Sequence, residues 1–211
     1  MKTKQILFFV SLSFFVCQIK AQDYENVDNG QVKTLLGNHT KLRGFGSVDL
    51  KVGQWNDEST LLVGGHGGII LNDKFTIGLG GYGITTRSKF TGLNGQNDFY
   101  LGGGYGGLIL GYSLFAKEIF HLNFPILFGG GGLDVLEDRD NIFTNGFDNI
   151  TETSGFFIVE PGAELEINIA RFFRFAIGGT YRFIEGVDLS SVSDSKLDDW
   201  STHVSFKFGK F

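Results

Sequence analysis

Between Phe75 and Thr86, in the stretch FTIGLGGYGITT, Gly78, Gly80 and Gly83 stand in the spacing G-x-G-x-x-G. In a dinucleotide-binding loop those glycines let backbone amides approach a pyrophosphate. Glu160, Glu164 and Glu166 lie close together, with Arg174, Arg182, His203 and Lys207 downstream, and paired carboxylates beside cations are the raw material of acid–base catalysis. His203 and Ser205, two positions apart, raise the question of a base and a nucleophile. Asp134, Glu137, Asp138, Asp140, Asp148 and Glu152 crowd one stretch that holds a single arginine, Arg139, and such a density of oxygen ligands raises the question of calcium. Each chemistry makes demands on position, so the elements that carry these residues decide which is available.

The nucleotide demand is for a strand that ends at the glycines and a helix that opens there. Gly78 to Gly83 lie inside an alternating segment, and ITTRS follows in place of an amphipathic helix. The same spacing recurs at Gly102, Gly104 and Gly107, and GGHGG and FGGGG are close relatives. The glycines are therefore a habit of the whole chain, and no nucleotide cofactor is expected. The acidic stretch lacks the glycine and glutamate spacing of a calcium-binding hand, so a solvated acidic loop is the expectation there. His39, His66 and His121 form no metal cluster with one another by position, and His66 reads as an interior hydrogen-bonding residue.

Composition narrows the class. The chain opens MKTKQILFFVSLSFFVCQIKAQ, with Lys2 and Lys4, an apolar run from Ile6 to Val16, and Ala21 at a cleavage position. This is the layout of a signal peptide, and the run is too short to span a bilayer as a helix. Val16 rather than a small residue precedes Cys17, the only cysteine, which argues against lipid attachment. Cleavage after Ala21 would leave no thiol, excluding disulfides, thiolate zinc sites and cysteine nucleophiles. The net charge of -5 becomes more negative once Lys2, Lys4 and Lys20 are removed, so a basic nucleic-acid footprint is absent. There are 32 glycines and 23 phenylalanines but only 2 prolines, and the composition points to strands.

From Lys41 onward apolar residues recur at every second position in eight segments. Leu42, Gly44, Gly46, Val48, Leu50 and Val52 oppose Arg43, Ser47, Asp49 and Lys51 in the first. Phe157, Val159, Pro161, Ala163, Leu165 and Ile167 oppose Glu160, Glu164 and Glu166 in the sixth. Trp200, Thr202, Val204, Phe206 and Phe208 oppose Ser201, His203, Ser205 and Lys207 in the last. A period of two means strands with two unlike faces. The fourth segment, FYLGGGYGGLILGY, is apolar or glycine on both faces and gives no assignment. Short links (NDK, FAKE, AR) alternate with longer ones, QWNDES being the shortest of the outer set. An up-and-down meander with all its tight turns at one end follows.

Alternation fits a soluble sandwich as well as a membrane barrel. The export signal, the phenylalanine-rich apolar face and the ending HVSFKFGKF favour the barrel. On these features, and on GGHGGIILNDKFTIGLGGYG, VEPGAELEINIARFFRFAIGGTYR and SFKFGKF, the chain resembles the small eight-stranded outer-membrane β-barrel proteins over roughly residues 40 to 211. The resemblance includes an uncharacterised bacterial group for which membership implies fold and location but no known activity. It implies an all-β, eight-stranded antiparallel up-and-down transmembrane barrel at 40–211, after a signal peptide at 1–21 and a short periplasmic segment at 22–39. It also implies that terminal Phe211 is the signal read by the barrel-assembly machinery.

A narrow barrel sets the remaining expectations. Glu160, Glu164, Glu166, Arg174, Arg182, His203 and Lys207 should form an interior charge network, because a charge in low dielectric must find a partner. A three-residue turn after Ile169 would set Glu160 opposite Arg182 and Asn168 opposite Arg174. Tyr82, Tyr100 and Tyr112 should fill space that glycines leave. The pair His203 and Ser205 resembles the His-x-Ser of outer-membrane lipid A deacylases, but parity turns both inward, away from lipid. Ile142, Phe143, Phe147 and Ile150 are apolar residues in a loop, candidates to cover the barrel mouth or meet another surface protein. The expected function is a non-enzymatic outer-membrane scaffold that contacts lipid and a partner and needs no cofactor. Transport of small solutes or hydrophobic compounds is the alternative, followed by a lipid-modifying esterase.

Overall fold

The computed structural model describes residues 40–55, 58–86, 89–91, 98–137, 150–189 and 194–211. The expected signal peptide and periplasmic segment lie outside them, as do Ile142, Phe143 and Phe147. The strands are β1 (Leu42–Trp55), β2 (Glu58–Leu71), β3 (Phe75–Ile84), β4 (Lys89–Thr91), β5 (Asp98–Leu114), β6 (Phe120–Glu137), β7 (Ile150–Ala170), β8 (Phe173–Tyr181), β9 (Phe183–Glu185) and β10 (Trp200–Gly209). β4 pairs with β5 beyond the end of β3, and β9 pairs with β7 beyond the end of β8. The ten segments thus make eight barrel strands, each antiparallel to its neighbour in sequence. β1 and β10 pair from Phe45↔Gly209 to Gly53↔Ser201 and close the ring. The protein is an eight-stranded up-and-down transmembrane β-barrel.

Tight turns at 72–74, 115–119 and 171–172 share one end. Asn72 and Asp73 take positive φ of 51° and 65°, a conformation that short polar side chains tolerate. At the opposite end the link expected over Gln54–Ser59 shrinks to two residues, because Gln54↔Ser59 and Trp55↔Glu58 are ladder pairs. The acidic loop shrinks as well. Asp134 and Glu137 belong to β6 and Glu152 to β7, and Thr153 Oγ1 donates to Asp134 Oδ1 across the ladder (2.9 Å). Ile150 is the first residue of β7 rather than part of a loop. It pairs with Leu136 at a register shift.

The outward face is apolar, with Val48 53%, Leu79 68% and Phe157 78% exposed. Left in water, so wide an apolar belt would drive association, whereas in a bilayer it is solvated by lipid. Aromatic pairs mark both edges of the belt. Phe75–Tyr112 (5.0 Å) and Phe173–Phe208 (5.1 Å) lie near the turns, and Tyr181–Trp200 (5.0 Å) and Tyr181–Phe183 (4.8 Å) near the other end.

Two populations of glycine share the strands. Gly65, Gly81, Gly106 and Gly130 form one outward row across β2, β3, β5 and β6, and a side-chain carbon added at nearby Gly83 meets nothing within 4 Å. Inward-facing Gly131 is different: a Cβ there would lie 2.5 Å from Phe156 Cζ and 2.7 Å from Tyr105 Cβ. Gly83→Ala should therefore change stability by no more than about 0.5 kcal/mol, whereas Gly131→Ala should cost about 1–3 kcal/mol by overpacking. Urea unfolding of the two variants in lipid vesicles measures the difference. The Gly78–Gly83 fingerprint lies wholly inside β3, with no helix following it among the described residues.

Candidate functional site

Within the barrel the side chains divide into an ionic half toward the turns and an apolar half toward the longer connections. Period two sends alternate residues of β7 inward, so Glu160, Glu164 and Glu166 project into a lumen closed by the other strands. All three are buried. The register sets Asn168 opposite Arg174, as expected.

Lys207 on β10 is the hub of the lower group. Its Nζ donates to Glu164 Oε2 (2.6 Å) and to Glu166 Oε1 (2.7 Å). Glu164 also accepts from Asn123 Nδ2 (3.1 Å) and meets His203 Nε2 (3.0 Å). Glu166 meets His121 Nε2 (2.7 Å) and accepts from Arg174 Nη1 (3.3 Å). Glu160 belongs to a second group. Lys51 Nζ donates to both of its oxygens (2.9 and 3.0 Å), Tyr105 Oη to Oε2 (2.9 Å) and Thr180 Oγ1 to Oε1 (2.7 Å), while Lys51 Nζ stands 3.8 Å from the centre of the Tyr82 ring. In a third group, His66 Nδ1 lies 2.7 Å from both Asp49 Oδ2 and Ser47 Oγ, and Tyr82 Oη donates to Asp49 (3.0 Å).

Six of the seven residues expected in the network are bonded within the interior: Glu164, Glu166, Arg174 and Lys207 by ion pairs with one another, His203 by its hydrogen bond with Glu164, and Glu160 by its ion pair with Lys51. Arg182 is buried but reaches no carboxylate among the described residues. It donates to Ser201 Oγ (3.1 Å) and Gln54 O (2.5 Å) and lies over the Trp55 ring at 4.6 Å. Asp49, Lys51, Tyr105 and His121 complete the arrangement without having been singled out. Asp49 and Lys51 were legible from their face of the first segment. His121 is the second residue of β6 and is buried against Glu166. Among the described residues four buried carboxylates (Asp49, Glu160, Glu164, Glu166) match four buried lysines and arginines (Lys51, Arg174, Arg182, Lys207).

The apolar half comprises Trp55, Leu62, Tyr105, Leu133, Phe156 and Ile158, with Leu189 and Leu197 folded in from the last connection. That connection is pinned by its own acids. Val187 N donates to Asp194 Oδ1 (2.8 Å) and Ile184 N to Asp198 Oδ1 (2.6 Å), and burial pushes the Asp198 carboxyl above the ordinary range. Tyr100 and Tyr112 point outward by the register of β5, so Tyr82 and Tyr105 (centroids 5.4 Å apart) fill the interior instead.

Among the described residues this arrangement lacks the geometry of a catalytic triad. A catalytic triad needs a histidine bonded through opposite nitrogens to acid and nucleophile. Asp49 and Ser47 share one nitrogen of His66, and His203 bonds Glu164 with no hydrogen bond to Ser205. Among the described residues no three His, Cys, Asp or Glu side chains are disposed around a metal position. Two cavities among the charged groups measure about 20 and 30 Å³, room for single waters. Phe211 follows β10 rather than closing it, and its ring lies 4.0 Å from the Arg174 guanidinium at the turn-end mouth.

No protein-family model matches the chain, and no curated protein matches it. Among solved structures it is similar to the N-terminal β-barrel domain of Pseudomonas aeruginosa OprF, with a TM-score of 0.49 and 11% identity over 78% of this chain and 96% of that one. It is similar to Neisserial surface protein A, NspA, with a TM-score of 0.48 and 13% identity over 82% and 99%. It is also similar to Ail, the attachment invasion locus protein of Yersinia pestis, with a TM-score of 0.46 and 11% identity over 81% and 98%.

Proposed function

We propose that this protein is a non-enzymatic outer-membrane scaffold whose barrel interior is a plug and whose contacts are made from its outer surface. The observation that carries the reading is the double seal. Trp55, Leu62, Leu133 and Leu197 are fully buried across the outer half, and the ion-paired charges occupy the inner half. A solute would have to break buried ion pairs and then displace a packed apolar layer. The partner is another outer-membrane or surface protein, met through the connections at the outer end, where Ile142, Phe143 and Phe147 are the expected contacts and Ile150 is exposed. The signal peptide delivers the chain to the membrane and is removed. Planar bilayers test the plug: refolded protein should give no steady conductance. A stable channel with solute selectivity would instead make the charged interior a pathway and support transport.

A further inference from the structure

At the turn end the barrel opens into a vestibule of about 450 Å³. Lys41, Arg43, Lys117, Arg171 and Arg174 converge on it from three places in the chain, against one side-chain carboxylate, Asp73, among its described lining. Arg43 is committed to Asp73 (3.1 Å). Arg174 spends Nη1 on Glu166 (3.3 Å), but its Nε has no partner although the residue is only 7% exposed. Among the described residues no carboxylate lies within ion-pair distance of Lys41, Lys117 or Arg171. Unlike the balanced interior, the vestibule carries surplus positive charge and a buried, unsatisfied guanidinium N–H.

A second cavity adjoins it. A groove of about 660 Å³ runs between the 72–74 and 115–118 turns and shares Lys41, Asp73, Ala116 and Lys117 with the vestibule. Lys74 and Glu118 lie on its rim, and it ends at Tyr112, Leu114 and Phe115 at the edge of the lipid-facing belt. Phe115 is 70% exposed at a φ of 58°, a rare conformation for a bulky residue, and its ring stands beside the groove.

From these features we infer that the vestibule and groove together bind one anionic glycerophospholipid, its phosphate among Lys41, Lys117, Arg171 and Arg174 and its acyl chains along Tyr112 and Leu114. The inference rests on the membrane reading above. The charge selects a phosphate, which guanidinium and ammonium groups hold by charge-assisted hydrogen bonds. Continuity with the lipid-facing surface selects an amphiphile over a soluble phosphate. The turn end is the one that faces the phospholipid leaflet if the short turns are periplasmic.

The test is native mass spectrometry of the barrel released from nanodiscs of mixed phosphatidylglycerol and phosphatidylcholine. One phosphatidylglycerol should be retained in preference to phosphatidylcholine. The triple variant Lys41→Gln, Lys117→Gln, Arg171→Gln should bind it roughly a hundredfold more weakly, as loss of three near-surface cations implies. None of the three belongs to the interior network, and a retained heat-dependent gel shift verifies the fold. Should the triple variant misfold, Lys117→Gln and Arg171→Gln alone carry the test, each with a loss of about fivefold. Equal retention of the two lipids, or unchanged retention in the variants, overturns the inference. Glycerol phosphate binding as tightly as phosphatidylglycerol overturns the lipid form and leaves a soluble-phosphate site. A barrel that conducts leaves this result standing while removing the proposed plug, so the two readings fail separately.

Discussion

Replacing Lys207 by methionine is expected to lower the stability of the barrel by about 3–5 kcal/mol, the cost of breaking a buried ion pair from one side. Lys207 holds Glu164 at 2.6 Å and Glu166 at 2.7 Å, so its loss leaves two neighbouring buried carboxylates facing each other with only Arg174 and two histidines nearby. Lys207→Arg keeps the charge and should lose much less. Combining Lys207→Met with Glu164→Gln removes one carboxylate together with the cation, leaves Glu166 to Arg174, and should recover most of the loss, since a buried pair replaced whole is often near neutral. Urea unfolding in lipid vesicles, followed by tryptophan fluorescence, measures all three. Equal stability of Lys207→Met and the double variant would contradict the electrostatic account.

Trp55→Ala should be comparably damaging for a different reason. Trp55 is fully buried, stacks on Tyr105 at 6.2 Å, meets Phe156 edge-on at 6.2 Å and underlies Arg182. Truncation removes the largest side chain of the apolar half and leaves a cavity, with an expected loss of about 3–5 kcal/mol. Trp200, the other tryptophan, sits 68% exposed on the outer surface and still reports the transition. Conductance should remain nil in this variant, because the ion-paired layer toward the turns is untouched. A channel opened by Trp55→Ala alone would mean that the charged half is permeable and that only the apolar half seals.

Parity made the ionic half readable. Glu160, Glu164, Glu166, His203 and Lys207 alternate with large apolar residues on their strands, so their face is unambiguous and a narrow lumen forces them together. The apolar half gave no such signal. Where β5 passes through it, Leu101, Tyr105 and Ile109 face inward while Leu108 and Leu110 face lipid, and a segment apolar on both sides has no period to read. Phe156 and Ile158 on β7 were hidden in the same way beside Phe157 and Val159. Link lengths misled for a related reason: Gln54, Ser59, Asp134 and Glu152 are polar, and polar residues at the ends of strands look like loop until the ladder is known. The fate of Arg182 was beyond sequence altogether. Its register opposite Glu160 does not fix its partner when Lys51, more than a hundred residues earlier, reaches that carboxylate first.

The closing seam has a consequence for how the molecule is made. The three glutamates of β7 are neutralised chiefly by Lys51 of β1 and Lys207 of β10, the two strands whose pairing shuts the ring. Until the final strand arrives, a growing sheet would present these acids to the bilayer with little beyond Arg174 to offset them. Ring closure and charge compensation are thus the same event, and a meander halted before β10 is penalised for remaining in lipid. Assembly acquires a built-in completeness check, in which the closing strand supplies the cation that makes the earlier ones tolerable in the membrane.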